Sequence, residues 1–276
     1  MTREPVQFRI DDDVQLMADR WPGTGPPVVL LHSGVCDRRS WFSTADELQR
    51  AGCGPIVAYD RRAYGETPVS VKPFLHLDDL IAVLDQSFDE PAWLVGSSMG
   101  GGLALDTALR HPDRLAGLVL LAPAISGAPP PDVVDPGSRR LDALMDAADA
   151  AGDYAGVNRY ETSLWLDGPA GPEGRVQGPA RDLALAMNAI VLANETAEHT
   201  GNSDVEVWPV LEKLQLPVTV AWGDLDLPHL IESGQVLADR LPVSRRRILP
   251  GTAHLPYLDR PELVVSLIRE ALAFTA

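Results

Sequence analysis

The segment Gly96-Ser97-Ser98-Met99-Gly100 is where residue types and spacing most directly suggest chemistry. A serine with glycines two residues to either side fits a sharp strand-to-helix turn that lifts its hydroxyl clear of the backbone, because side chains at those two positions would collide. A serine hydroxyl is a weak nucleophile at neutral pH. It needs a base to take its proton and a third group to orient that base. His254, in Gly251-Thr252-Ala253-His254-Leu255-Pro256, lies between the last strand-like run and the last helical pattern and suits the base. Asp226, in Trp222-Gly223-Asp224-Leu225-Asp226, lies just past another strand-like run and suits the orienting acid. Asp224 is the alternative, although a side chain at its position fits a turn-holding role better. The order Ser98, Asp226, His254 along the chain is the one that this type of turn predicts.

Acyl transfer on such a serine also requires hydrogen-bond donors for the oxyanion of the tetrahedral intermediate. The backbone N–H of Met99, at the start of a helix, supplies one. A second is expected from the loop after the first buried strand, from Gly34 or, failing that, Val35. Arg38 and Arg39 follow closely and could hold a substrate carboxylate, with solvated surface charge as the simpler account. His32 reads as structural, and His76, His111 and His199 fall in helical patterns or at their ends. A metal site from Asp224, Asp226 and His229 is disfavoured. So is a cation site at Asp11-Asp12-Asp13, which an exposed turn explains. No metal and no cofactor is expected.

These residues must be held by something, and the apolar runs say what. Pro27 to Leu31, Ile56 to Tyr59, Ala92 to Val95, Ala116 to Leu121 and, but for Thr219, Pro217 to Trp222 are short apolar runs, as strands buried on both faces of a sheet are. Arg246 to Leu249 adds another strand. Helical patterns around Trp41–Arg50, Leu77–Gln86 and Leu103–Arg110 alternate with these strands, which argues for an α/β fold with a parallel sheet flanked by helices. Phe8 to Trp21 reads as an opening hairpin, and Pro261–Ala273 as a closing helix. From about Ala128 to Trp208 the texture changes to proline, glycine and acidic helices, at Ser138–Ala151 and Ala180–Thr196, without a buried strand. This predicts a helical insertion at 128–208 in a core made of 1–127 and 209–276.

The 276 residues carry 39 acidic against 23 basic side chains, a formal charge of -16. Coulomb repulsion therefore disfavours nucleic acid and anionic membranes as partners. No run of about 18 apolar residues predicts a membrane span. The opening residues lack a basic stretch followed by an apolar one, so a cytoplasmic location is expected. Cys36 and Cys53 are expected to be reduced.

Taken in order, Leu30-Leu31-His32-Ser33-Gly34, Tyr59-Asp60-Arg61-Arg62-Ala63-Tyr64-Gly65-Glu66-Thr67, the Ser98 turn, Gly223-Asp224-Leu225-Asp226 and Gly251-Thr252-Ala253-His254 resemble the α/β-hydrolase superfamily along essentially the whole chain. The pattern is similar to its capped branch of small bacterial esterases, enol-lactonases and carbon–carbon bond hydrolases. That resemblance implies an α/β-hydrolase fold, an acid at Asp226, and a helical cap over the site that shapes the substrate pocket. Trp165, Met187, Tyr160 and Leu164 are the candidates to line it, with the cap's own core as the competing account. Two departures stand out. The family usually has His-Gly at His32-Ser33 and Arg-Gly at Arg62-Ala63. A serine at 98 argues against the related branches that use an aspartate nucleophile. The implied activity is hydrolysis of a small carboxylic ester or lactone, on a small hydrophobic or aromatic substrate, by a monomer or homodimer. Cleavage of a carbon–carbon bond beside a ketone, a cofactor-free lyase or perhydrolase, and a ligand sensor are the alternatives.

Overall fold

The computed structural model describes residues 3–11, 14–70, 72–194 and 206–274. The chain opens with an antiparallel hairpin, β1 (Glu4–Arg9) and β2 (Gln15–Trp21). Asp11 closes its turn by accepting a hydrogen bond from the Val14 amide at 2.9 Å; Asp12 and Asp13 lie outside the described residues. Strands and helices then alternate: β3 (Val28–Leu31), α1 (Phe42–Arg50), β4 (Ile56–Tyr59), α2 (His76–Ser87), β5 (Ala92–Ser97), α3 (Met99–Arg110) and β6 (Leu115–Leu121). Between β6 and β7 lie α4 (Pro136–Ala150), α5 (Tyr154–Thr162), a π-helical turn at Ser163–Asp167 and α6 (Pro179–Asn194). The chain closes with β7 (Val218–Gly223), α7 (Pro228–Arg240), β8 (Ser244–Leu249), the short α8 (Pro256–Asp259) and α9 (Pro261–Leu272).

The eight strands form one sheet in the order β1-β2-β4-β3-β5-β6-β7-β8, parallel from β4 onward. From β3 the chain steps outward to β4 and then returns to the other side of β3 as β5. Such a reversal opens a crevice at the carboxyl ends of the two central strands, where open α/β sheets bind ligands. The loops that leave β3 and β5 there are the ones that carry Gly34 and Ser98.

Alternation along the strands sends side chains to two separate cores. Val29, Leu31, Leu94, Leu118 and Val220 pack with Leu80 and Leu84 of α2, Leu105 of α3 and Leu237 of α7. Val28, Leu30, Val95 and Val119 pack on the other face with Leu48 of α1 and Val264 and Ile268 of α9. The expected elements are present, most with ends shifted by one or two residues; α3 and β1 each begin four residues earlier than expected, and Thr196, the expected end of the second insertion helix, lies outside the described residues. Helices α5, α7 and the short α8 are additional. The two ends of the long β6–β7 segment meet at one atom. The Val207 and Trp208 amides both donate to the Ser126 carbonyl, at 3.1 and 2.9 Å.

Charged groups are buried in pairs around the β4 loop. Arg38 is neither surface charge nor free to meet a ligand. It is 7% exposed and bonds Asp19 through Nε at 2.7 Å, together with Asp60 and Glu66. Arg39 forks onto Asp37. Arg62 reaches across to α2 and holds both carboxylate oxygens of Asp79, at 2.8 and 2.7 Å. Ala63 next to it sits at φ +73°, a left-handed conformation that glycine adopts without strain. The departure from Arg-Gly thus puts a side chain at a position of that turn where it carries a conformational cost.

Removing one partner of a buried ion pair strands the other. Arg62→Ala should therefore lose about 3–5 kcal/mol of stability in urea unfolding, with most of that loss avoided when Asp79 is neutralised as well. At the crossing of α3 over the sheet, a methyl on Gly100 would run into the carbonyls of Leu31 and His32. Both obstacles are backbone, so Gly100→Ala should cost at least the roughly 1–3 kcal/mol of an overpacked core, read as a lowered Tm.

Candidate active site

Ser98 stands between β5 and α3 at φ +50° and ψ -116°, a region that costs of order 1–3 kcal/mol for a residue with a side chain. Three backbone hydrogen bonds hold it there. Its amide donates to Leu121 at 3.0 Å, and its carbonyl accepts from Gly102 and Ala124, each at 2.9 Å. The flanking glycines make the turn sterically possible. A Cβ on Gly96 would strike the Gly100 carbonyl, and one on Gly100 would strike the end of β3. The first turn of α3 therefore rests directly on the β3 loop.

That contact brings the two candidate oxyanion donors together. Met99 is the first residue of α3, so its N–H has no acceptor within the helix. Gly34 approaches so closely that a Cβ there would sit 2.6 Å from the Met99 sulfur. Gly34 and Val35 both line the cavity that contains Ser98. Behind this loop, His32 accepts the Arg61 amide at 3.1 Å through Nε2 and reaches the Ser33 carbonyl at 2.8 Å through Nδ1. Burial, helped by the Arg61 charge, holds its pKa well below the usual histidine value. His32 is therefore a neutral strut. Cys36 is also buried there, and burial pushes its thiol up to about 12, so it offers no thiolate. Neither Cys36 nor Cys53 is in a disulfide.

His254 arrives on the loop after β8. Its Nδ1 lies 2.9 and 3.2 Å from the two carboxylate oxygens of Asp226, and both residues are buried, at 2% and 4% exposure. A carboxylate only accepts, so Nδ1 carries the proton and Nε2 keeps its lone pair. Asp226 Oδ1 also accepts the Leu227 amide at 2.7 Å. Asp224 points elsewhere and accepts from the Gly251 amide at 2.7 Å, which ties the β7 turn to the loop that carries His254. Among the described residues no three His, Cys, Asp or Glu side chains are grouped to hold a metal ion.

The β6–β7 segment closes over this loop. Trp165, within the π-helical turn, accepts the His254 amide at 3.1 Å and lays its ring 4.7 Å from the imidazole. Arg175 fastens that turn, donating to the carbonyls of Leu166 at 2.6 Å, Asp167 at 2.9 Å and Gly251 at 2.9 Å, and pairing with Asp259 at 2.7 Å. The buried Asp167 receives the Gly174 and Val176 amides and Arg181.

Ser98, Met99, Gly34, Val35, Trp165 and His254 line one cavity of about 330 Å³. The other pocket candidates lie away from its walls. Met187 is fully buried in the core beneath and takes the Asp37 amide at its sulfur, 3.5 Å away. Leu164 and Tyr160 belong to a small cluster with Leu141 and Leu227. The walls hold residues that sequence reasoning did not assign to the pocket: Ala63, Tyr64, Val191 and Asn194. Tyr64 and Ala63 belong to the Asp60–Thr67 motif, which was a signal in plain view. Val191 and Asn194 sit at the end of α6, and only the docking of that helix brings them in. Asn194 bridges to the core by donating to the Ala63 carbonyl at 2.8 Å. His76 begins α2 and is buried, His111 ends α3, and His199 lies outside the described residues.

Comparison with known proteins bears on this arrangement. A putative 2-succinyl-6-hydroxy-2,4-cyclohexadiene-1-carboxylate synthase of Bacillus subtilis is 26% identical over 97% of this chain and 98% of its own. A pimeloyl-[acyl-carrier protein] methyl ester esterase of Neisseria meningitidis serogroup B is 29% identical over 90% of this chain and 93% of its own. A thermophilic esterase from Thermogutta terrifontis superposes with a TM-score of 0.76 at 23% identity, covering 98% of both chains. Residues 26–261 match the model of the alpha/beta hydrolase fold family, and the chain belongs to that family.

Proposed function

We propose that this protein is a serine hydrolase that cleaves a small carboxylic ester or lactone through an acyl-enzyme on Ser98. The observation that carries this reading is the buried His254–Asp226 pair opening into the same cavity as a serine held at positive φ. His254 Nε2 takes the Ser98 proton as Oγ attacks the carbonyl carbon, and Asp226 stabilises the imidazolium that results. The carbonyl oxygen, now an anion, is met by the Met99 amide and by that of Gly34 or Val35. Each such donor is worth about 2.7–4 kcal/mol in the transition state. Collapse breaks the bond to the leaving oxygen, which departs with the proton from His254. Water then repeats the sequence on the acyl-enzyme, releasing the acid and restoring Ser98.

Residues 128–208 serve in this reading as a cap, entered and left at the Ser126 carbonyl. Trp165, Val191 and Asn194 then form its contribution to the substrate pocket, and the ester-cleaving relative supports the choice of bond. A second reading, a cofactor-free lyase on the same residues, draws on the similarity to the Bacillus subtilis synthase.

With p-nitrophenyl acetate and butyrate at neutral pH, the wild type should turn over. Ser98→Ala should lose roughly 10⁴- to 10⁶-fold in kcat, and Asp226→Asn about 10⁴-fold. A wild type no faster than Ser98→Ala would sink the hydrolase reading and favour the lyase, for which product analysis without net water uptake is the check.

A further inference from the structure

A second hollow, of about 350 Å³, adjoins the cavity that contains Ser98. Met99 lines both. Tyr64 stands on the Ser98 side of the divide, its hydroxyl 3.8 Å from the Met99 sulfur. Arg61 stands on the far side, its guanidinium 4.7 Å from the centre of the Tyr64 ring. The divide between the two spaces is thus made of side chains, one of them an unbranched thioether that adapts readily.

Arg61 is unusual among the buried arginines. The other two, Arg38 and Arg62, each pair with a carboxylate, as do the half-buried Arg175 and Arg181. Arg61 is 2% exposed and its guanidinium meets only neutral groups among the described residues: it donates to the Ser33 carbonyl at 3.0 Å and lies over the face of Tyr64, with the neutral His32 ring beside it. Its Nε is buried without an acceptor. An uncompensated buried cation is costly, and an anion that reaches it recovers that cost. The remaining walls include the aliphatic Leu77, Leu103 and Ile125, with His76 on α2 and Asp106 on α3. Asp106 limits how much negative charge the space accepts, which favours a single carboxylate over a phosphate.

The position of His254 says which end of a substrate enters. The leaving group must stay beside His254 to receive its proton, and His254 lines the first cavity and not the second. The acyl portion is therefore the one that extends past Met99. We propose that the second cavity is an acyl subsite for a chain ending in a carboxylate. Leu77, Leu103 and Ile125 hold its methylenes, and Arg61 holds the terminal anion. This substrate class rests on the serine-hydrolase reading.

The test compares mono-p-nitrophenyl esters of succinic, glutaric and adipic acids with the p-nitrophenyl esters of butyric, valeric and hexanoic acids. The readout is the ratio of kcat/KM within each matched pair, because Arg61 also steadies Ser33 and its loss can slow both members alike. For at least one length the wild type should favour the charged ester. Arg61→Met should lower that ratio about tenfold to a hundredfold, chiefly through KM, and Arg61→Lys should keep most of it. An unchanged ratio in Arg61→Met, or a preference for the uncharged ester at every length, overturns the subsite. Calorimetry with monomethyl adipate on Ser98→Ala separates the two readings. Binding lost in the Ser98→Ala, Arg61→Met double variant, with no ester turned over by the wild type, keeps the subsite and sinks the hydrolase. Turnover of uncharged esters with no Arg61-dependent binding does the reverse.

Discussion

Everything at the candidate site depends on how closely the start of α3 crosses the end of β3. Gly100 lies against the carbonyls of Leu31 and His32, and Gly96 lies against Gly100. The close approach forces Ser98 to positive φ, exposes its side chain and brings the Met99 amide beside the Gly34 loop. The strain at Ser98 is held by the Leu121, Gly102 and Ala124 backbone bonds, so the sheet and not the loop supplies the restraint. A serine on a mobile loop could not be kept in this conformation.

The second arm of the site is held by different means. His254 and Asp226 come from separate loops at the far side of the sheet, and polar bonds set their relative position. Asp224 joins the β7 turn to Gly251, and Arg175 joins the same loop to the π-helical turn that bears Trp165. Buried charge is thus used twice in this protein. In the Arg38 and Arg62 pairs it fixes the backbone after β3 and β4, and around Arg175 and Arg181 it fixes the helical segment to the core. Buried ion pairs add little net stability, but they are strict about geometry.

The sheet and the order of its elements were legible because strands buried on both faces read as unbroken apolar runs such as Val28–Leu31 and Leu115–Leu121. Ser98, Asp226 and His254, the residues proposed as nucleophile, acid and base, were picked out through their spacing from those runs. The cavity walls were not. Met187, Leu164 and Tyr160 are apolar residues of amphipathic helices, and sequence alone does not say whether such a face meets a hollow or a core. Here it meets cores. Val191 and Asn194 went unnoticed because they reach the cavity only through the docking angle of α6. Arg38 carried no mark of its burial, since its partners Asp19 and Asp60 are distant along the chain, whereas Arg39 stays partly exposed beside its neighbour Asp37.

Met99 takes part in the site through two chemically separate portions. In the proposed mechanism its amide meets the developing oxyanion, and in the proposed subsite its thioether divides two hollows. A change of side chain at 99 alters the room available on either side while leaving the amide in the polypeptide and the helix start in place. On these two proposals, the capacity to stabilise charge and the capacity to select a chain are inherited from different atoms of one residue. Selection acting on position 99 can redraw the range of molecules admitted without rebuilding the turn at Ser98.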